Sequence, residues 1–277
     1  MPKASVIIAV YNRLDFLKLV LAGLQIQTET DFEVLIADDG SGTDFTTGLQ
    51  DLLPSLPFPV RHLWHDDAGF RKNIILNQAI TESQSPYLIF LDGDCIPHPE
   101  FVREHLLASG SGICLAGRRV DLSGRVTQQL SPSKIRNGYL QQAGTTAMLL
   151  VDFLRARCFH FMNGLYTRNP LLRRYFNRKE RGLLGANFSA CKADLLAING
   201  FDERYTAPTF GEDSDIELRL RLAGVQIKPV LNTAVVYHCH HALLSRKNNS
   251  YDLYQQAVVE NTAFTPYGIK KVSSESN

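Results

Sequence analysis

The sequence predicts an α/β fold in which a mostly parallel central sheet is flanked by helices. Short apolar runs without alternation recur along the first half of the chain, as expected of strands buried on both faces. Helical patterns lie between these runs, and strands joined by single helices form parallel sheets with right-handed crossovers. Each run ends in polar residues. The loops that follow are therefore expected along one edge of the sheet, where such folds bind their ligands.

The individual elements are placed by the spacing of apolar residues. The loops between them contain neither a GxGxxG pattern nor a GxxxxGK[ST] pattern, so a dinucleotide site or a P-loop is not expected. Strands are predicted at 4–10, 32–37, 60–64, 87–91, 113–117 and 230–237, and helices at 15–25, 74–80, 99–108 and 193–198, with one more helix after residues 210–215.

Bulk composition narrows the class of protein. The chain has 277 residues, 44% of them hydrophobic and 21% charged, and its net charge of +1 argues against a general nucleic-acid binder. Its five cysteines form no CxxC pair, which favours a reducing compartment over disulfides or a zinc site. The first strand begins at Ala4, and no apolar run approaches the roughly 20 residues that span a bilayer. We expect a cytoplasmic protein without a signal peptide.

The strand predicted at 87–91 ends abruptly in Asp92-Gly93-Asp94. Two carboxylates at the end of a buried strand are costly unless a cation meets them. The hypothesis is that they hold a divalent metal to which the rest of the chain delivers a phosphate-bearing substrate. A plain turn is the alternative.

Three motifs carry a family resemblance. Residues 6–12 (V-I-I-A-V-Y-N), 37–41 (A-D-D-G-S) and 92–94 (D-G-D), in that order and spacing, resemble the family 2 glycosyltransferases with the GT-A fold. The segment 64–72, with Asn77, resembles a branch of that family that reads W-x-x-D-x-G-F-R. Taken alone, residues 37–41 are also compatible with a plain turn, and Tyr11 and Asn12 with an ordinary loop. Together they are specific.

The resemblance implies a nucleotide-sugar donor and a divalent cation, Mn²⁺ or Mg²⁺. Departure of a nucleoside diphosphate needs charge neutralisation, which a carboxylate-held cation supplies. By resemblance, Asp94 is a metal ligand and Asp92 lies close to the ribose and the metal. The other implied donor-binding residues are Val10, Tyr11 and Asn12 at the base, Asp39 at the base or ribose, Arg71 and Lys72 at the diphosphate, and Asp67 and Asn77 in the same motif.

Residues 131–184 differ in composition from the rest of the chain. They contain ten Lys or Arg against two acids, Asp152 and Glu180, with aromatic residues interleaved. A basic, amphipathic surface of this kind binds an anionic membrane or a phosphorylated glycan. Membrane contact is the preferred interpretation, because acceptors in the family that the motifs resemble are often lipid-linked. The alternative is that the aromatic residues belong to the core and the basic ones form a solvated face.

Two further acids, Glu212 and Asp213, lie in or just before the first turn of a predicted helix. The helix dipole favours ionised carboxylates there, and such a group can deprotonate an acceptor hydroxyl. With residues 199–203 they resemble the N-G-F-D-E … G-x-E-D-x-D pattern of the same family, which implies that Asp213 is the base and that Glu212 binds acceptor hydroxyls. Phe210 stands where that pattern usually has Trp and is expected to stack on the acceptor sugar. A capping box with Thr209 is the alternative for Glu212.

The strand predicted at 230–237 leads into His238-Cys239-His240-His241. The resemblance implies that a histidine here completes the metal shell; His238 is the first choice, and His240 and His241 stay open. A zinc cluster that includes Cys239 is the alternative. Carboxylate and phosphate oxygens favour Mn²⁺ or Mg²⁺ instead, and neighbours on an extended chain point in opposite directions.

These observations predict an inverting, metal-dependent glycosyltransferase of the hexosyltransferase type. It would move a sugar from a nucleotide-sugar, with UDP preferred as the family's usual nucleotide, to a glycan or glycolipid acceptor of a bacterial-type surface polysaccharide. Peripheral contact with the cytoplasmic face of the inner membrane is expected, and no nucleic-acid partner. The alternatives are a sugar-phosphate nucleotidyltransferase, which would carry a Gly-rich phosphate loop after the first strand, and a non-catalytic nucleotide-sugar or glycan-binding module.

The sequence also predicts that the chain is divided into four parts. They are a donor-binding half at 1–117, a basic helical insertion at 118–184, an acceptor and catalytic half at 185–245, and a C-terminal helix with a flexible tail at 246–277.

Overall fold

The computed structural model describes residues 1–207, 211–242 and 250–271. The described strands are β1 (Ala4–Val10), β2 (Phe32–Asp38), β3 (Val60–Trp64), β4 (Tyr87–Asp92), β5 (Cys95–Pro97), β6 (Ile113–Ala116), β7 (Arg119–Asp121), β8 (Asn187–Cys191), β9 (Gln226–Pro229) and β10 (Val236–His238). The described α-helices are α1 (Leu14–Leu24), α2 (Thr43–Leu52), α3 (Lys72–Glu82), α4 (Phe101–Ala108), α5 (Gly124–Gln129), α6 (Pro132–Arg136), α7 (Ala143–Leu154), α8 (Pro170–Phe176), α9 (Lys192–Ala197), α10 (Glu212–Leu222) and α11 (Ser250–Glu260).

A seven-stranded sheet in the order β3-β2-β1-β4-β8-β6-β9 forms the centre of the molecule. Its neighbouring strands are parallel except at β8, which runs antiparallel to both β4 and β6. The mostly parallel sheet expected from the sequence is therefore confirmed. None of the described helices is both long and apolar enough to cross a bilayer.

Two apolar layers cover the large sheet, one on each face. Val6 and Ile8 of β1 belong to one buried cluster, whereas Ile7 belongs to the other. Leu17 of α1 packs in the first layer and Ile75 of α3 in the second. Because alternate side chains of a strand point to opposite faces, a strand covered on both sides needs apolar residues at every position. This arrangement explains the unbroken apolar run at residues 6–10 of the first strand.

Strand β8 was not predicted, although it lies in the middle of the sheet. Its polar residues hide its pattern, and they are satisfied by buried partners. The Ser189 hydroxyl lies 2.7 Å from both the Tyr87 hydroxyl and Nδ1 of His105, and Nε2 of His105 lies 3.1 Å from Oδ1 of Asn187. Burial lowers the pKa of His105 to about 4, so this histidine is neutral at physiological pH.

The strand predicted at 230–237 is wrong in its bounds. The structure has β9 before Val230 and β10 from Val236 onward, with a turn between them. Asn232 has a φ of +59°, which a strand does not allow. Its Nδ2 donates to the carbonyl oxygens of Met162 and Leu165 at 2.6 and 2.9 Å. The apolar residues of this segment are thus buried around a turn.

A small sheet in the order β5-β10-β7 lies beside the large one. Its central strand pairs His238 with Cys95 on one side and with Asp121 on the other. The backbone N–H of Cys239 also donates to the Asp94 carbonyl at 2.9 Å. The small sheet therefore brings His238 and Cys239, the first residues of the histidine-rich segment 238–241, against the Asp92-Gly93-Asp94 turn.

Candidate active site

A cleft opens at the carboxyl ends of β1 and β4, and Lys72, Asp92, Glu212 and Asp213 are among the residues that line it. Lys72 begins α3 and places Nζ 2.9 Å from Oδ1 of Asp92. Burial lowers the pKa of Lys72, but the charges of the three carboxylates outweigh this effect and raise the pKa above its ordinary value. Lys72 is therefore a charged ammonium group held among three carboxylates.

Asp213 is fixed by a backbone group. The N–H of Gly185 donates to Oδ2 of Asp213 at 2.9 Å. A Cβ atom at position 185 would lie 2.5 Å from Oδ1 of Asp213, so only glycine allows this approach. Burial raises the pKa of Asp213, against the effects of the Lys72 charge and the Gly185 N–H. A carboxylate with raised basicity and a fixed position has the two properties that a general base needs.

Glu212 lies beside Asp213 in the first turn of α10. Its burial and the neighbouring charge of Asp213 raise its pKa to about 7, although Lys72 acts in the opposite direction. The preceding Gly211 has a φ of +138°, and a Cβ atom there would meet the Tyr205 ring at 2.5 Å. The turn into this helix therefore requires glycine. Thr209 and Phe210, predicted as a cap and an acceptor contact, lie outside the described residues.

Asp94 is the centre of a second group of potential ligands. Its Oδ2 lies 3.0 Å from Nε2 of His241 and 3.4 Å from Nε2 of His238. One ligand atom from each of these three residues lies within 4.8 Å of the others, a set of one carboxylate and two imidazoles that can hold a divalent first-row metal. Asp92, Asp94 and Cys95 form another such group. Burial raises the pKa of Asp94, but hydrogen bonds from the two histidines bring it well below its usual range.

The residues between these two histidines point elsewhere. The backbone N–H of His240 donates to Oγ1 of Thr127 at 2.9 Å, and the His240 side chain is exposed. The Cys239 side chain is buried, and burial raises the pKa of its thiol. Neither residue belongs to a potential metal group among the described residues. The geometry gives no support to a zinc cluster that includes Cys239.

Asp121 orients His238 from behind. Its Oδ1 lies 3.0 Å from Nδ1 of His238 and 3.0 Å from Nε of Arg119, and its Oδ2 lies 2.9 Å from Nδ1 of His160. Burial raises the pKa of Asp121, but the two histidines and Arg119 lower it to about 2 overall. An ionised carboxylate on Nδ1 leaves Nε2 of His238 directed at Asp94, which is the usual support for a metal-ligating histidine.

Asp39 follows β2 and is held there by residues of the 64–72 segment. Nε2 of His65 lies 2.8 Å from its Oδ1, and the backbone N–H of Arg71 donates to both carboxylate oxygens at 3.1 and 3.0 Å. Burial raises the pKa of Asp39, and these partners act against that effect. Asp39 therefore links the 64–72 segment to the sheet edge.

Tyr11 and Asn12 lie at the same edge and contact the neighbouring loops. The Tyr11 hydroxyl donates to Oδ2 of Asp67 at 3.0 Å, and half of the Tyr11 side chain is exposed. The Asn12 backbone N–H donates to Oγ of Ser41, and the Gly42 N–H donates to Oδ1 of Asn12, both at 2.8 Å. An exposed aromatic ring beside an ordered turn is an arrangement that can receive a flat base. Val10, just before them, is buried.

The Asn77 side chain is hydrogen-bonded to the 199–203 loop. Its Nδ2 donates to the Phe201 carbonyl at 2.9 Å and to Oε1 of Glu203 at 3.0 Å, while its Oδ1 accepts from the Phe201 N–H at 2.8 Å. Its side chain is 3% exposed, and all its polar atoms are used within the protein. Asn77 thus attaches α3 to the 199–203 loop, and its predicted donor contact stays a prediction.

Arg71, which was predicted with Lys72 to contact the diphosphate, makes its contacts within the protein. Nη2 donates to the Asp66 carbonyl, and Nε is buried without a partner among the described residues.

In the 199–203 loop, expected on the acceptor side, Asp202 is buried and paired with Arg204 at 2.8 Å and with Arg219 at 3.6 Å. These ion pairs fix the loop behind the cleft.

Three residues of the site were missed by sequence reasoning, namely Asp121, His65 and Gly185. Asp121 ends a strand of three residues, too short to show a pattern. His65 lies within the recognised segment 64–72 and carries the one available signal, because a histidine beside several acids is a common partner for a carboxylate. Gly185 gives no signal in the sequence, since its role depends on the proximity of Asp213.

Sequence comparisons identify similar proteins. The glycosyl transferase family 2 description matches residues 5–173. The chain is 28% identical over 247 residues to chondroitin synthase of Escherichia coli, with 84% of this chain and 34% of that protein aligned. It is 34% identical over 244 residues to validoxylamine A glucosyltransferase of Streptomyces hygroscopicus subsp. jinggangensis, with 81% of this chain and 52% of that protein aligned. The chain thus spans about a third to a half of the length of these relatives.

Solved structures share the fold at low sequence identity. Residues 1–349 of Staphylococcus aureus TarS, in complex with UDP-GlcNAc, superpose with a TM-score of 0.60 and 18% identity, covering 93% of this chain and 66% of that one. The mannosyltransferase PcManGT from Pyrobaculum calidifontis, in complex with GDP-Man and Mn²⁺, gives a TM-score of 0.56 and 13% identity, covering 94% and 63%. These likenesses confirm the GT-A fold expected from the sequence.

Proposed function

Because the chain belongs to glycosyl transferase family 2, it is a glycosyltransferase, and we propose that it is an inverting, metal-dependent one. It moves a sugar from a nucleotide-sugar to a glycan or glycolipid acceptor. The observation that carries this proposal is that Asp92 lines the same cleft as the candidate base Asp213 and also belongs to a potential metal group. Asp92 belongs to a ligand group with Asp94 and also binds Lys72. The charge of Lys72 acts in turn on Glu212 and Asp213.

The donor is proposed to be a UDP-sugar. The TarS structure contains UDP-GlcNAc, and the mannosyltransferase structure contains GDP-Man with Mn²⁺. The name of the chondroitin synthase relative indicates polysaccharide synthesis. These neighbours support a nucleotide-sugar donor and a divalent cation. We propose Mn²⁺ or Mg²⁺ as the cofactor and an acceptor that belongs to a bacterial-type surface polysaccharide.

Asp94, His238 and His241 are proposed to hold the cation, with Asp92 next to it. Their donor set of carboxylate oxygen and imidazole nitrogen fits a divalent first-row metal, and Asp121 supports one of the two histidines from behind. When bound, the cation neutralises the charge that develops on the departing diphosphate.

Asp213 is proposed as the general base. It takes the proton from an acceptor hydroxyl while that oxygen attacks the anomeric carbon of the donor from the face opposite to the nucleotide. The bond between the anomeric carbon and the diphosphate oxygen breaks, and its electron pair leaves with the diphosphate, so the configuration inverts. Glu212 accepts hydrogen bonds from neighbouring acceptor hydroxyls. The Lys72 charge favours the ionised form of both acids.

The remaining assignments follow the edge of the large sheet. Val10, Tyr11 and Asn12 are proposed to line the base, and Asp39 to contact the base or ribose. Asp67 holds the Tyr11 hydroxyl, and Arg71 with Lys72 lies toward the diphosphate. We propose residues 1–117 as the donor-binding half and 185–245 as the acceptor and catalytic half, in a protein that works in the cytoplasm at the membrane.

Two variants test the proposal. Asp213→Asn is expected to abolish transfer while calorimetric binding of UDP with Mn²⁺ stays within about twofold of the parent, because the base does not contact the nucleotide. Asp94→Ala is expected to abolish the Mn²⁺-dependent part of UDP binding. Asp51→Asn, at an exposed position on α2, is the matched control and should change neither. Normal transfer by Asp213→Asn would overturn the catalytic assignment.

A panel of donors separates the alternatives. Thermal shift and product analysis with UDP-, GDP- and other sugar nucleotides, each with Mn²⁺, identify the donor. Release of pyrophosphate from a nucleoside triphosphate would indicate a nucleotidyltransferase. Binding of a sugar nucleotide without transfer or hydrolysis under any condition would indicate a non-catalytic binding module.

A further inference from the structure

Helices α7 and α8 expose their apolar side chains to solvent. Of the large apolar residues exposed among the described part of the chain, nine of twenty come from 150–175. Helix α8 buries none of its residues, and α7 buries only Thr145, Leu149 and Asp152. The nine residues, here called the α7–α8 surface, are Leu150, Val151, Phe153, Leu154, Phe159, Met162, Leu171, Leu172 and Tyr175. Nine exposed apolar residues in one segment exceed the scattered single exposures that need no explanation, so this segment is a candidate for binding a partner.

Arginines accompany these apolar residues. Arg155 and Arg157 follow α7, and Arg174 and Arg178 lie in and after α8; all four are exposed. Within the described residues, no ion pair neutralises any of them. The guanidinium of Arg178 lies 4.4 Å from the centre of the Tyr175 ring, so charge and apolar surface are in direct contact. The partner that this surface fits is therefore both apolar and anionic.

Other basic residues of the same segment have a different task. Arg168 and Arg173 are bound to Glu100 and Glu104 of the α4 region, each at 2.6 Å. Both glutamates are buried. These ion pairs attach the segment to the α4 region, and they leave the four arginines of the α7–α8 surface free to face outward. The alternative that all the aromatic residues belong to the core is correct for Phe161, which is buried, and not for Phe153, Phe159 or Tyr175.

The α7–α8 surface adjoins the candidate metal group. Phe159 pairs with Asp121 through two backbone hydrogen bonds of 3.0 Å each. The Asp121 carboxylate then binds His160 of the same segment and His238 of the ligand group. A partner seated on this surface would thus lie near the cleft that holds Asp213.

We propose that the α7–α8 surface docks on an anionic lipid bilayer. The apolar side chains enter the interface between head groups and acyl chains, and the four arginines bind the head-group phosphates. The purpose of this docking is to present a lipid-linked acceptor to the cleft, and that purpose rests on the proposed function. The docking itself depends on the surface alone and is measured separately.

Vesicle flotation with the full chain tests the docking. The protein is expected to float with vesicles that contain phosphatidylglycerol, to float much less with pure phosphatidylcholine, and to be released by high salt. The double variant Arg155→Glu and Arg174→Glu should weaken binding by roughly fivefold or more for each charge reversed. Lys18→Glu with Lys228→Glu, at exposed positions elsewhere, is the matched control and should bind as the parent does.

The apolar contribution is tested in the same assay. Leu154→Ser with Leu171→Ser removes two side chains that are 75% and 76% exposed. This variant should lose binding even at low salt, whereas Val259→Ser, 84% exposed on α11, should not. Melting temperatures equal to that of the parent exclude misfolding as the cause.

Two results would overturn the proposal. One is equal flotation of the parent with neutral and anionic vesicles, or with none. The other is a concentration-dependent dimer that the Leu154→Ser and Leu171→Ser variant abolishes, which would assign the surface to a second copy of the chain. UDP binding with Mn²⁺, measured on the same preparations, separates this inference from the proposed function. Intact UDP binding without flotation contradicts the docking alone, and flotation without UDP binding contradicts the proposed function alone.

Discussion

Nδ1 of His238 lies 3.0 Å from Oδ1 of Asp121, its register partner on the neighbouring strand of the small sheet. The two residues are separated by 117 positions in the sequence. The hydrogen bond fixes the ring so that Nε2 is directed at Asp94. Asp121 therefore acts on the potential metal group through His238 and is a positioning residue.

Asp121→Asn tests this role. The amide keeps the size of the side chain but loses the charge that holds Nδ1–H of His238, so Mn²⁺ affinity should fall by about 10- to 100-fold. Calorimetric titration with Mn²⁺ alone measures the effect without reference to activity. Asp44→Asn, exposed in the first turn of α2, is the control. A dissociation constant within twofold of the parent would contradict the positioning role.

Gly185→Ala should displace the Asp213 side chain while leaving its carboxyl group chemically unchanged. The added methyl group would lie 2.5 Å from Oδ1 of Asp213, closer than van der Waals contact allows. If Asp213 is the base, kcat should fall by roughly 100-fold, since proton transfer depends on position and contributes about 10²–10⁴ to the rate. UDP binding with Mn²⁺ should stay unchanged. Gly144→Ala, where a Cβ atom meets nothing within 4 Å, should leave both quantities as they are.

The first four strands of the chain were predictable because they depend on local pattern. Strands β1 and β3 have the predicted bounds, and β2 and β4 differ from prediction by one residue. Strand β8 was not predictable, because the sheet buries its Asn187 and Ser189 against His105. A polar residue on a buried strand looks like a loop residue until its partner is known.

The site was predictable to the extent that its residues are adjacent in sequence. The Asp92-Gly93-Asp94 turn and the Glu212–Asp213 pair are local motifs, and the structure places both around one lysine. The contribution of Asp121 depends on strand pairing between β7 and β10, which no spacing in the sequence encodes. Asn77 shows the converse case, because its motif was recognised while its side chain points into the protein.

Asn77→Ala distinguishes a structural role from a donor contact. The substitution removes hydrogen bonds to the N–H and C=O of Phe201 and to Glu203. Two buried backbone groups lose their partner, so the free energy of unfolding should fall by about 2–3 kcal/mol. UDP binding should stay within twofold. Gln78→Ala, on the exposed side of the same helix, should cost less than about 0.5 kcal/mol. Weaker UDP binding at unchanged stability would instead restore the donor contact.

Glu212 should make the protein less stable as the pH rises. Its pKa in the folded protein is about 7, against an ordinary value of 4.5, because of burial and the Asp213 charge. Between these two values the folded state retains a proton that the unfolded state has released, so the stability due to this group is lost as the pH rises through that window. Glu212→Gln does not titrate. At pH 8 it should therefore be more stable than the parent, by about 1–3 kcal/mol.

Urea unfolding of the metal-free protein at pH 4.5 and pH 8 measures the effect. At pH 4.5 the parent carries a mostly neutral Glu212, and the variant should match it closely. At pH 8 the variant should gain stability and lose transfer activity together, because the ionised carboxylate that costs folding energy is the group proposed to bind the acceptor hydroxyls. Glu260→Gln, exposed at the end of α11, should show the same small difference at both pH values. A Glu212→Gln variant whose difference from the parent is independent of pH would show that this carboxyl group titrates normally, and the proposed coupling of Glu212 to Asp213 would then be wrong.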